Sequence, residues 1–214
     1  MENSISLNVI STDDGTSCER RDAAANRQLL LETAKRLFRE QGAANVTMAD
    51  IAKEAGVGKG TLYRRFTNKG DLCLQILDKQ LQMFQNGVLL EMREMTAAAD
   101  SYMAQLDHFL NQLVGFIYDN LPLMVEIELN PPPPEAMVDP DINTPHFWQE
   151  MTVRALLTKA AEAQELSPDL DIAYTASALM AALNARVVRY QLERGFTTEQ
   201  IGAGLRGMVR HFRV

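Results

Sequence analysis

The segment from Lys59 to Lys69, KGTLYRRFTNK, gathers cations, hydroxyls and a side-chain-free glycine and contains no carboxylate. Such donors suit phosphate oxygens, and a bare glycine lets one backbone approach another. At helical spacing, about 100° per residue, Gly60 and Arg64 point away from Leu62 and Phe66, with Thr61 and Tyr63 on their flanks. Arg65 lies to one side, Lys59 opens the segment, and Thr47 precedes it at the head of an earlier apolar pattern. The chemistry on offer is recognition of a polyanion. The reading against it is an ordinary solvated helical hairpin, which the lack of acids on this face disfavours. Lys59, Thr47 and Lys69, with Thr61, Tyr63 and Arg65, are expected to hold phosphates. Arg64, helped by Tyr63 and Thr61, is expected to reach base edges, and Gly60 to permit close approach.

Catalytic or metal chemistry has no comparable footing. His108, His146 and His211 share no metal-ligand spacing, and none accompanies a Ser or Cys in a nucleophile motif. Asp139 and Asp141 fall in a proline-rich loop, where solvation explains them better than acid–base work. Cys18 and Cys73 sit in unlike contexts, which argues against a disulfide. No enzyme activity, metal or cofactor is expected.

The elements that must position the cationic face read as a helix-turn-helix. Thr47 is an N-cap type residue before Met48, and Ile51, Ala52 and Ala55 share one face of the helix that follows. Gly56 suits the turn, since left-handed backbone angles cost it nothing. Val57 plugs the corner, and a second helix is predicted over Lys59–Phe66. Two helices at a steep angle, the second free to enter a major groove, make a DNA-binding unit.

With these residues in view, Val57 to Leu72 resembles the signature of the TetR family of bacterial transcriptional regulators, in which Lys-Gly-Thr-Leu-Tyr leads to Phe and then Lys. Residues 29–56 resemble the family's first helix and its link. Gly58 departs from a common Ser, Gly70 from a common Glu, and Arg65 from a frequent His. The resemblance implies an all-α fold: an N-terminal three-helix DNA-binding domain and a helical-bundle C-terminal domain for ligand binding and dimerisation, joined by a long fourth helix. It also implies a homodimer on double-stranded DNA.

Composition fits this layout. The chain has 214 residues, 46% of them apolar, and a formal charge of −7. The charge is unevenly spread: residues 20–79 hold twelve Lys and Arg against seven Asp and Glu, whereas residues 80–214 hold nine against seventeen. A cationic head on an acidic body suits a DNA binder. No apolar run is long enough to span a bilayer and no signal peptide is recognisable, so a cytoplasmic location is expected.

In chain order, residues 1–22 read as a disordered tail, with Arg20, Arg21 and Arg27 either a minor-groove arm or solvated. Residues 23–70 form the DNA-binding domain and 71–214 the C-terminal domain. The first helix is predicted from about Ala24 to Gln41, and the fourth from Asn68 to roughly Met95. Helices follow over 101–118, from Pro122 to near Asn130, from Thr144 to near Glu165, from Asp171 to near Gly195 and from Thr197 onward. Pro131 to Pro134 read as a rigid connector rather than a partner-binding motif.

Within the C-terminal domain, Met103, Phe109, Phe116, Tyr118, Met124, Phe147, Trp148, Met151 and Tyr174 are candidates to line a pocket, each singly also compatible with core. Glu126 and Glu128 lie in an apolar neighbourhood; buried there, a carboxylate would favour a cationic lipophilic ligand, and solvation is the alternative. Leu179, Leu183, Val187, Ile201, Leu205, Met208 and Phe212 form stripes expected to build a four-helix dimer interface, unless they bury within their own domain. The reading as a whole is a ligand-responsive regulator, a repressor released from a palindromic operator by a small hydrophobic effector. A ligand-independent DNA-organising or cell-division protein on the same scaffold is the alternative.

Overall fold

The computed structural model describes residues 15–133, 145–167 and 169–210. Among them every regular element is helical. The order is α1 Gly15–Gln41, a 3-10 turn at Ala43–Asn45, α2 Met48–Glu54, α3 Lys59–Tyr63, α4 Lys69–Ala97, α5 Tyr102–Leu129, α6 Pro145–Glu162, α7 Ile172–Ala182, α8 Ala185–Glu193 and α9 Thr198–Arg210.

Two apolar cores organise the molecule. The head core joins Leu30, Ala34 and Leu37 of α1 to Ile51 and Ala52 of α2, Leu62 of α3, Phe66, and Leu72, Cys73 and Ile76 of α4. The body core is centred on Phe109, Leu110, Leu113 and Val114 of α5, with Leu157 of α6, Leu179 of α7, Val188 of α8 and Ile201 and Leu205 of α9. Two helices serve both. α4 gives Ile76 to the head and Val88 to the body, while α5 sends Leu123 and Ile127 back into the head.

Some helix limits differ from the pattern's, each for a local reason. α1 starts at Gly15, so the expected tail is helical from that residue; its first turns are too polar to show an apolar period. α3 stops at Tyr63, because the Leu62 carbonyl accepts from the amides of both Arg65 and Phe66 and tightens the last turn. α5 runs through Pro122 instead of breaking before it. Pro122 and Tyr118, whose carbonyl the missing amide would have met, are both exposed, on a face of the helix open to water. The helix expected over 171–195 is two helices. Asn184 ends the first and caps the second, accepting from the Arg186 amide at 3.0 Å. A short polar side chain that bonds its own backbone favours such a break.

The head meets the body where α4 begins and α5 ends. Lys69 Nζ lies 3.0 Å from Glu126 Oε2, with the two side chains only 13% and 7% exposed. Asn68 caps α4 by accepting from the Asp71 amide at 2.8 Å, and donates its Nδ2 to the Pro131 carbonyl at 2.9 Å. Asp71 is itself buried and accepts from the Thr67 amide and hydroxyl and from Gln75. Gly70 closes the joint: a Cβ there would stand 1.7 Å from the Asn130 carbonyl oxygen. Beneath it, Cys73 is fully buried, and burial first, then the nearby Glu126 charge, pushes its thiol up to about 12, Lys69 opposing. Such a thiol is an apolar filler, not a nucleophile.

Gly70→Ala should therefore destabilise the chain by about 1–3 kcal/mol, the range for forcing atoms into a packed site, read as a fall in the urea midpoint. Glu126→Ala should cost about 3–5 kcal/mol by leaving Lys69 buried and unpaired, and the double change Lys69→Met with Glu126→Leu should restore most of it. A silent Glu126→Ala would show that the pair is not sealed from water in solution.

Candidate nucleic-acid interface and effector cleft

The helix-turn-helix is assembled by local chemistry. Thr47 caps α2 in a reciprocal arrangement: its hydroxyl accepts from the Asp50 amide at 3.2 Å, and the Asp50 carboxylate accepts from the Thr47 amide at 2.9 Å. The Thr47 hydroxyl also donates to Asp50 at 2.6 Å, and these bonds hold the Asp50 carboxyl below its ordinary value. Gly56 turns the chain at φ +68°, the region glycine enters without strain. Val57 packs on the head core, as the corner requires. Gly58 is the N-cap of α3 and makes no side-chain cap bond, the consequence of lacking a hydroxyl.

Leu62 and Phe66 are wholly buried, which turns the rest of α3 outward. Lys59, Gly60, Tyr63, Arg64 and Arg65 are exposed and Thr61 is half-buried; Tyr63 shows 52% of its surface. Nothing lies within 4 Å of where a Gly60 Cβ would stand. The Arg64 Nη2 donates to Thr61 Oγ1 at 3.3 Å, a weak bond that leaves its other donors outward. Neighbouring cations are occupied elsewhere. Arg36 pairs with Glu40 and Glu54, and Arg27 lies over the Phe66 ring and donates to Gln75, which ties it to the head instead of freeing it as an arm.

Lys69 is the exception among the expected contacts. The structure turns it inward onto Glu126 and over the Phe38 ring, so it does not present a phosphate donor. The sequence could not show this, because Glu126 is 57 positions away. The same pairing answers the expectation for Glu126: it is buried, but its charge is met by Lys69 rather than by a ligand, and Glu128 pairs with Arg186 at 2.9 Å.

In the body, a cleft of about 540 Å³ opens between α4, α5 and α6. Of the expected lining residues only Trp148 and Met151 reach it. Met103 and Phe109 are core, Phe116 stacks on Phe84 with ring centres 4.7 Å apart, and Met124 packs on the body core. Phe147, Tyr118 and Tyr174 are exposed outside the cleft lining. Residues not expected there include Leu89, Met92, Arg93, Tyr102, Leu156 and Lys159. Their spacing marked helix faces well enough but could not show which faces diverge.

The expected interface stripe also divides. Leu179, Leu183, Ile201 and Leu205 pack into their own body core, Ile201 and Leu205 also bordering a surface hollow. Val187 and Met208 are exposed, at 38% and 58%, beside exposed Tyr190 and Phe196. A hollow of about 170 Å³ lies among Phe196, Gln200, Gly204 and Met208. Phe212 falls outside the described residues.

Comparison with known proteins matches this geometry. Residues 30–76 match the family model described as bacterial regulatory proteins, tetR family. An HTH-type transcriptional regulator of Staphylococcus aureus strain MRSA252 is 30% identical over 174 residues, covering 81% of this chain and 86% of that protein. A TetR/AcrR-family regulator from Thermobifida fusca shares the fold at a TM-score of 0.62 and 19% identity, over 87% of this chain and 97% of that one. The regulator FadR from Bacillus subtilis, solved with stearoyl-CoA, does so at 0.62 and 17% identity, over 85% and 96%. With the DNA-binding head, the all-helical body and the extent of these matches in agreement, the chain belongs to the TetR family of bacterial transcriptional regulators.

Proposed function

We propose that this regulator is a dimeric cytoplasmic repressor, without enzymatic activity, that leaves a palindromic operator when a small effector occupies its body. The observation that carries the reading is the outward face of α3, where Lys59, Arg64 and Arg65 surround a bare Gly60 with no acid among them. Lys59, Arg65, Thr47 and Tyr63 hold phosphates. Arg64 and Thr61 read base edges. Two copies are needed because one short recognition helix covers few base pairs, and a two-fold pair sets two of them about 34–36 Å apart along the duplex.

The dimer face is assigned to the exposed side of α8 and α9, through Val187, Tyr190, Phe196 and Met208. Coupling follows from the joint. α4 lines the cleft with Leu89, Met92 and Arg93 and carries Lys69 and Gly70 at its other end. A ligand that moves α4 tilts the head against its neighbour, and ligand and DNA oppose each other reciprocally. The cleft also weighs against a ligand-independent architectural role, which has no use for one. The FadR structure with stearoyl-CoA adds support for an effector with a long apolar part.

Mobility shift on the DNA flanking the chain's own gene tests the reading as a whole; absence of any sequence preference overturns it. Arg64→Ala should cost about 1–3 kcal/mol on the operator and little on random duplex. Lys59→Ala should weaken both alike and lower the salt slope by about one unit, whereas Lys69→Ala should leave that slope unchanged. Met208→Glu should yield monomers on sizing while keeping the native melt; a persisting dimer places the interface elsewhere.

A further inference from the structure

The cleft has a chemical direction. α4 contributes Leu89, Met92, Arg93 and Thr96, and α6 contributes Trp148, Met151, Thr152, Ala155, Leu156 and Lys159. At one end Trp148 stands edge-on to Phe84 and Phe109, with ring centres 6.4 and 5.7 Å apart. At the other end Lys159 lies 5.9 Å from the centre of the Tyr102 ring, beyond the last turn of α4. Eleven residues of helix separate Trp148 from Lys159, roughly 17 Å. Along that path the wall passes from aromatic and aliphatic groups to Thr96, Gln105, Tyr102 and Lys159.

The charges on the wall have one sign. Among the described residues, Arg93 and Lys159 are the basic groups of the lining and no acid belongs to it, and both are exposed enough to move. Outside the lining, Glu165 accepts from the Tyr102 and Met103 amides at 3.0 and 2.8 Å, and Glu162 forms a long ion pair with Lys159 at 3.9 Å. Glu126 and Glu128, the carboxylates that would have favoured a cation, pair with Lys69 and Arg186 outside the cleft.

We propose that the cleft takes an amphiphile with a single anionic head and an unbranched apolar chain, the head at Lys159 and Arg93 and the chain running toward Trp148. This deepens the effector reading above and rests on it only for its effect on DNA. Binding itself is tested on the free protein. Trp148 is the only tryptophan of the chain, so its fluorescence reports occupancy of the apolar end directly.

The test titrates the full-length protein, without DNA, with dodecanoate, dodecanol and dodecyltrimethylammonium, each below its micelle-forming concentration. Dodecanoate should saturate the Trp148 signal at a concentration roughly tenfold below the cationic probe, the scale of two partly exposed charge contacts reversing sign. Arg93→Gln with Lys159→Gln should erase that preference, so that dodecanoate and dodecyltrimethylammonium saturate the signal at similar concentrations. Ala155→Phe should block all three probes with the native melt retained. Equal or tighter binding of dodecyltrimethylammonium, or a carboxylate preference that survives the double change, overturns the proposal. A mobility shift of the operator complex with dodecanoate reads the other question. Binding without release of DNA keeps the cleft assignment and removes the effector role.

Discussion

A lysine and a glutamate, nearly shut off from water, fasten the DNA-binding head to the body. The pair brings little net stability, because desolvating two charges consumes most of their attraction. Its value is in specifying geometry. An ammonium and a carboxylate buried together tolerate few relative positions, and Asn68, donating to Pro131, and Gly70, lying against Asn130, narrow them further. Apolar packing through Leu123 and Ile127 adds attraction that is non-directional. The orientation of α3 toward any duplex is therefore set, in this structure, by the last turn of α5.

That constraint gives Gly70 a reason. Its position commonly carries Glu in proteins with the same signature, and on sequence alone the change reads as a weakened helix start. The fold shows instead that no side chain could be accommodated, since Asn130 occupies the space. The helix start is secured from its neighbours, by Asn68 on the Asp71 amide and by Asp71 on Thr67.

What could be read from the sequence was what is encoded locally. Thr47, Gly56, Leu62 and Phe66 each act within one or two turns, and their roles follow from side-chain shape and helical period. The all-helical composition of the body was legible for the same reason. What stayed hidden depends on distant pairs. Nothing near Lys69 announces Glu126. Nothing in the periodicity of Leu179, Leu183, Ile201 and Leu205 tells whether the stripe faces its own core or a second chain, for both surfaces demand the same residues. The cleft was mostly missed for a related reason. Large apolar side chains such as Met103 and Phe109 fill space, while the residues that border empty space are an ordinary mixture containing Thr96, Ala155 and Lys159.

The two shared helices bring the joint and the cleft into one mechanical unit. α4 spans 29 residues, about 43 Å, with the joint at its first turn and the cleft along its second half. α5 touches the cleft at Tyr102 and Gln105 and the joint at Glu126. A ligand of the proposed kind, wedged between α4 and α6, would push on one arm of a frame whose other corner is the lysine–glutamate pair. Helices packed at core density transmit such a push, since neither yields locally. The softer points are Gly87 of α4, a residue with no Cβ to stiffen the helix although Val88 beside it is buried, and the Pro122 turn of α5, which lacks one backbone donor. Bending at either would absorb the push before it reached the head. Transmission to the head would thus require the joint to be stiffer than these two turns, and burying a charge pair there is an effective way to stiffen it.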